Sequence, residues 1–360
     1  DADTDRHGML LVAELGLVML LFTDASRVAP LLLKGRPNLP GRLLSAGMLL
    51  TIALGTLCAM VVFGHLTWWE AGILAAILAP TDAGLGQVVV GSPLVPKRIR
   101  EALNVEAGLN DGLSVPFLMF FLALATTQGE ARGSGVLGRF LIEQLGYGTL
   151  IGLAIGLAGG WLLDAARRRE WMAAPLAQLG VVALPLGCAL ASEATGASMF
   201  IAAFVAGLAT QYGYPDVGRH SVELAEDWGQ LLNLFVFFLF GGFVLRAWPE
   251  FDLAVVLYAV LSLTLVRMLP VALALAGTGL ARPTVLFVGW FGPRGLASIV
   301  LGLVYLEKSA SLPGEATLRL AVMATVLISI LAHGLTATPG IRRYAAAVAR
   351  LDANAPERRA

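Results

Sequence analysis

The chain has 360 residues, of which 57% are hydrophobic and only 14% charged, and its 25 basic and 25 acidic side chains give a formal net charge of zero. Ordinary soluble domains carry roughly 25% charged residues, so a chain with a mean hydropathy of +0.77 suits a bilayer as its solvent. Charge balance excludes a nucleic-acid partner, which needs a concentrated basic face, and two cysteines in apolar stretches, Cys58 and Cys188, exclude a disulfide framework or a thiolate metal site.

The opening DADTDRHG is polar and acidic, starts at Asp1 and has no basic n-region or cleavage pattern. It reads as an extracytoplasmic stretch over 1–8 of a fragment whose upstream helices lie outside the sequence. Eleven apolar runs able to cross about 30 Å of hydrocarbon follow. They cover about 9–25, 43–64, 68–93, 99–125, 137–163, 173–191, 196–211, 228–246, 252–276, 283–306 and 316–336, leaving 337–360 as a tail. If the runs alternate in direction, one side collects Arg27, Lys34, Arg36, Arg42, Lys97, Arg98, Arg100, Arg167, Arg168, Arg169, Arg219, Arg282 and the tail arginines. The other side holds Arg6, Arg132, Arg139, Arg246, Lys308 and Arg319. The richer side is cytoplasmic by the positive-inside rule, which places the C-terminus in the cytoplasm of an inner-membrane, multi-pass protein.

Ionisable side chains at the bilayer centre cost at least about 2.5–3.5 kcal/mol, so each needs a partner or a purpose. Five candidates matter here: Asp82, Glu106, Asp111, Arg267 and Arg294. At 1.5 Å rise per residue, Glu106 is about 10–12 Å deep and Asp111 about 18 Å deep, near the midplane, with Asp82 at mid-depth on the preceding span. Arg267 sits roughly 13 Å from the cytoplasmic end of its span, the level of Glu106. A Glu106–Arg267 ion pair is the least costly way to keep both charged. Asp111 is then the midplane acid that faces water and holds either a proton or a cation, which is what an exchanger requires.

The third run is interrupted by Ala79-Pro80-Thr81-Asp82-Ala83-Gly84 and the tenth by Phe291-Gly292-Pro293-Arg294-Gly295. Proline lacks an N–H and glycine tolerates unusual dihedrals, so both spans are expected to unwind there. One such break reads as an ordinary kink. Two in antiparallel spans, at corresponding places of two halves, point to an all-α inverted-repeat transporter with its site where two discontinuous helices cross. Asp82 and Arg294 are expected to balance the half-helix dipoles. Asn110 next to Asp111 also admits the reading of a structural interhelical hydrogen bond. His65 and His333 read as structural, and Gly148, Gly152, Gly156 and Gly160 as a stripe for close helix packing.

The motifs APTDAGLG, NVEAGLNDG, LVRMLP, FGPRGLASIVL and LAHGLTATP, in that order over nearly the whole chain, resemble those of the NhaP-type cation/proton antiporters, whose animal relatives are the sodium/proton exchangers. The resemblance implies a thirteen-helix fold of which about eleven helices are present. It also implies core bundles over about 43–125 and 252–336, and dimerisation helices over about 9–25 and 137–246 of a transmembrane domain at 9–336. It makes Asp111 the carboxylate that alternates between proton and Na⁺, with Asp82 and Thr81 beside it, Asn110 as the orienting amide and Asp24 as a further candidate ligand. Glu106 and Arg267 become the structural pair, and the Asn-Asp order implies electroneutral exchange. One departure is Ala107, where family members often carry a serine whose hydroxyl helps hold the ion.

The function read from the sequence is thus exchange of a monovalent cation, Na⁺, for H⁺ by a homodimer in a lipid bilayer, with no cofactor. K⁺/H⁺ exchange is the alternative. A cation channel is the weaker competitor, because no carbonyl-filter loop or charge ring is visible. An enzyme is disfavoured by the absence of HExxH, GxSxG or a Cys/His pair with sensible spacing.

Overall fold

A computed structural model describes residues 2–27, 39–127, 138, 142–214, 222–308, 312–352 and 355–358. Lys34, Arg36, Arg132, Arg139 and Arg219 lie outside the described residues. Every described regular element is helical. The elements are α1 (Ala2–Arg27), α2 (Leu39–Val62, with a π-turn at Leu43–Gly47), α3 (Trp68–Ile77), α4 (Ala83–Val90), α5 (Lys97–Thr127), α6 (Ile142–Arg168, opening on a π-turn), α7 (Ala174–Thr195) and α8 (Met199–Gly213). Then follow α9 (Glu223–Ala247), α10 (Leu253–Leu263), α11 (Leu265–Ala274), α12 (Arg282–Trp290), α13 (Leu296–Lys308) and α14 (Glu315–Ala349). Among the described residues seven helices are long and apolar enough to cross a membrane, and three shorter apolar helices accompany them.

All eleven runs expected from the sequence are present as helices, with three departures. Helix α1 begins at Ala2, so the residues expected as a polar stretch are helical; they lack proline, and acidic composition suits a helix N-terminus. The ninth run is divided at Thr264, whose φ of −105° and ψ of −86° depart from helical values between α10 and α11. The last helix continues past Thr336, through Pro339, to Ala349, so more than half of the expected tail is helical. The alanine-rich segment after Arg343 has high helix propensity, which favours this continuation.

The chain divides into two compact units. The first, Asp1–Leu32 with Val115–Gly242, contains α1, the end of α5, α6, α7, α8 and most of α9. Its tightest packing is α6 on α8. Gly148, Gly152, Gly156 and Gly160 recur every fourth residue on one α6 face, and each lies against the α8 backbone or the residue that caps it. A Cβ at Gly152 would stand 2.5 Å from the carbonyl oxygen of Ala202, and one at Gly156 2.6 Å from that of Ala206. Gly207 meets the Phe22 carbonyl of α1 in the same manner. Without a hydrophobic force between helices in lipid, close backbone approach is what supplies their attraction. Gln211 donates to the carbonyl of Ala25 (2.8 Å), and Arg27 pairs with Glu226, which ties α1 to α8 and α9.

The second unit, Leu33–Ser114 with Phe243–Ala360, is the inverted repeat. In each half a long segment, a broken helix and a second long helix follow one another: α2, α3/α4 and α5, then α10/α11, α12/α13 and α14. The broken helices are started by buried carboxylates. Thr67 and Glu70 form a capping box at the head of α3, and the second Glu70 oxygen accepts from the Gly314 amide (2.7 Å) before α14. At α12 the N-cap is Ala281, which has no polar side chain to accept from the first turn. Glu357, in the 3-10 turn Pro356–Arg358, supplies the cap instead, accepting from Ala281 N (2.6 Å) and Thr284 Oγ1 (2.9 Å). Arg98 donates to the Pro356 carbonyl (2.7 Å) and Arg358 to the Val348 carbonyl (2.9 Å), so this turn is packed on α5, α12 and α14, while Phe287 of α12 stacks on Tyr344 of α14 at 4.1 Å.

The glycine stripe gives a direct test. Gly156→Leu is expected to lower the apparent melting temperature of the detergent-solubilised protein by well more than Leu157→Ala does, because the Ala206 backbone cannot yield to a Cβ while Leu157 is exposed. Equal melting temperatures for the two variants would contradict the packing.

Candidate functional site

The site is built where the two broken helices meet. Helix α3 ends at Ile77 and α4 starts after Asp82; α12 ends at Trp290 and α13 starts at Leu296. Four helix ends therefore lie inside the protein, and each unsatisfied backbone group in a membrane interior costs several kcal/mol.

Asp82 satisfies two of these ends. One carboxylate oxygen accepts from Leu85 N (2.7 Å), capping its own helix α4, and the other accepts from Leu296 N (2.7 Å), capping α13. The Asp82 amide in turn donates to the Pro293 carbonyl (2.8 Å). Arg294 performs the opposite service: its Nη1 donates to the carbonyls of Ala79 (2.6 Å) and Pro80 (2.8 Å), just beyond the end of α3. Ser298 adds a hydrogen bond to the Ile77 carbonyl (2.8 Å). Thus the acid of the first break caps a helix of the second, and the base of the second caps a helix of the first, with each charge at the dipole end that favours it.

Helix α14 closes the remaining end. His333 Nε2 lies 2.8 Å from the Trp290 carbonyl oxygen, and its Nδ1 lies 2.8 Å from the Ser329 carbonyl oxygen and 3.1 Å from Ser329 Oγ. The same hydroxyl accepts from Arg294 N (2.7 Å). The reading of His333 as structural agrees with this placement. His65, far along the chain from these groups, lies 3.0 Å from Thr317 Oγ1.

The glycines of the second break have specific reasons. A side chain at Gly295 would overlap the Asp82 carboxylate, and one at Gly292 would overlap the Arg267 guanidinium. Arg267 donates from both terminal nitrogens to both oxygens of Glu106, at 2.6 and 2.9 Å, and the two residues are 5% and 2% exposed. This bidentate fork links α5 to α11.

On α5, Asn110 is buried and donates from its amide to Thr81 Oγ1 (2.7 Å), which fixes that amide against the first break. Asp111 is half-buried in the next position. The structure therefore gathers Thr81, Asp82, Glu106, Asn110, Asp111, Arg267 and Arg294 into one unit. Asp24 belongs to the other unit, half-buried on α1. A small opening beside the first break is lined by Thr81, Asp82, Asn104, Ala107 and Phe291, among others. Sequence reasoning did not single out Ser298, Ser329, Glu70 or Glu357. Ser329 and His333 at i and i+4 next to a recognised motif were a usable signal, whereas nothing local marks Glu357.

Glu106→Ala leaves the Arg267 guanidinium buried and without its carboxylate, a loss on the order of 3–5 kcal/mol. The variant is expected to melt well below the parent, and a Glu106→Ala, Arg267→Met double variant to recover part of the difference; thermal unfolding followed by tryptophan fluorescence measures both.

With this geometry in place, relatives can be compared. The family profile described as "Sodium/hydrogen exchanger, transmembrane" matches residues 5–343. A K(+)/H(+) antiporter NhaP2 of Shewanella sp. (strain ANA-3) is 27% identical over 344 residues, covering 94% of this chain and 58% of that protein. A Na(+)/H(+) antiporter of Schizosaccharomyces pombe is 26% identical over 282 residues, covering 71% of this chain and 58% of that protein. The chain thus spans 58% of the length of these curated relatives. Among solved structures, the sodium proton antiporter MjNhaP1 of Methanocaldococcus jannaschii at pH 8 superposes with a TM-score of 0.76 at 21% identity, over 96% of this chain and 87% of that one, which shows a shared fold. The relatives are transporters, and with the profile covering nearly all of its length the chain belongs to the sodium/hydrogen exchanger family.

Proposed function

We propose that this chain forms the transport domain of an antiporter that exchanges one monovalent cation for one proton, with Asp111 as the group occupied by either. The observation that carries the reading is the Asn110–Asp111 pair beside a helix crossing whose own charges are spent on backbone groups. Asp82 and Arg294 cap helix ends, and Glu106 and Arg267 bind each other. Asn110 is anchored to Thr81, so the adjoining carboxylate is presented from a fixed backbone.

In this reading Asp111 releases its proton on one side and takes a hard cation, with the Thr81 hydroxyl and Asp82 lining the site. Neutralising the carboxylate by proton or cation lowers the cost of passing it between the two faces, so the empty, charged state crosses poorly. That coupling needs no cofactor, and one exchanged charge per turnover makes the cycle electroneutral. Na⁺ is the ion assigned, supported by the family description and by the fungal relative's name. The bacterial relatives' names support K⁺ as the alternative. Unit two serves as the transporting core and unit one as scaffold and dimer surface. The protein works as a homodimer in the cell membrane, with its C-terminus in the cytoplasm.

Exchange is read as cation-dependent dequenching of a pH dye in everted vesicles carrying the full protein. Asp111→Asn and Asp111→Ala are each expected to abolish the signal for Na⁺ and K⁺ while leaving the amount of protein in the membrane at the parent level. Retained dequenching in both variants would overturn the role of Asp111.

A further inference from the structure

We infer that Asn104 forms a separate cation station on the path to Asp111, one that receives a partly dehydrated alkali ion from the end of α5 carrying Lys97, Arg98 and Arg100. The inference rests on the antiporter reading and goes beyond it by naming the group that sets ion affinity on one face.

Three observations converge on this residue. First, Asn104 lines the opening beside the first break, together with Thr81, Asp82 and Ala107, where walls from Leu103 and Phe291 are apolar and the oxygens come from a hydroxyl, a carboxylate and an amide. The space suits about one water molecule or an ion of that size. Second, Asn104 is exposed and its amide makes no hydrogen bond to another described residue. An amide inside a membrane span is costly without a partner or water. Asparagine is also a poor helix former, and Asn104 stands seven residues into α5, where no cap is needed. Neither packing nor local structure therefore accounts for it. Third, Asn104, Ala107 and Asp111 fall at i, i+3 and i+7, on one face of α5. Asn104 lies about 10 Å before Asp111 along the helix axis.

The chemistry follows from hardness and charge. Neutral amide and hydroxyl oxygens are ligands for hard cations. They replace part of a hydration shell without fixing the ion as firmly as a carboxylate would, so an ion can be passed on. Ala107 presents only a methyl group between the two positions. Because the station lies toward the basic end of α5, which the charge bias assigns to the cytoplasm, it acts on ions arriving from that face only.

The test uses the full-length protein in proteoliposomes, with Na⁺, K⁺ or Li⁺ presented on either face in turn. Asn104→Leu removes the oxygen at similar size, and Asn104→Ala guards against misfolding of the first variant. Both are expected to raise KM for the preferred cation about tenfold from the Lys97 face, with KM on the opposite face and kcat within about twofold of the parent. Asn104→Asp is expected to lower KM on the Lys97 face and to change the order of the three cations. An unchanged KM on that face in the leucine and alanine variants, or an equal rise on both faces, overturns the station while leaving the exchange activity of the parent as evidence for the antiporter. Absence of cation/proton exchange in the parent itself overturns the antiporter reading, and the station with it.

Discussion

A helix that stops inside a membrane must find partners for its terminal amides and carbonyls, and the second unit of this protein contains four such ends. They are served by crossing contributions: Asp82 reaches the amide of Leu296, and Arg294 reaches the carbonyls of Ala79 and Pro80. Neither broken helix can be completed without the other. The two halves of the inverted repeat are therefore joined by the groups that make each half stable. Gly292 and Gly295 belong to the same arrangement, since a Cβ at either would displace Arg267 or Asp82.

Once the crossing charges are engaged in this way, the local electrostatics divide by role. Glu106 and Arg267 form a bidentate pair that is nearly inaccessible to water. A pair of that kind is costly to break and contributes position more than net stability. Asp111 stands apart from those groups in burial, half-buried next to an amide fixed on Thr81.

The first unit is held by different means. Its small-residue face on α6 meets α8 backbone to backbone, and Gly207 repeats the device between α8 and α1. Polar links among its described residues include local ones, such as Asp164 accepting from Arg168 (2.6 Å) one turn on. Close packing suits a unit built of unbroken helices, because regular helices carry their own hydrogen bonds.

Much of this was legible in the sequence. The spans follow from hydropathy. The breaks follow from Pro80 with Gly84 and Pro293 with Gly292. The Glu106–Arg267 pairing follows from counting rise along α5 and α11. Those features depend on local composition and periodicity, which a linear reading preserves. Tertiary structure alone decided which group serves which helix end. It put Asp82 on Leu296, 214 residues away, set Ser329 and His333 behind the second break, and placed Glu357 at the head of α12. It also decided the kink at Thr264. A cap is chosen by proximity in space and by the shortage of any local donor or acceptor, as at Ala281, and such shortages acquire their partners only when distant segments of the chain are folded together.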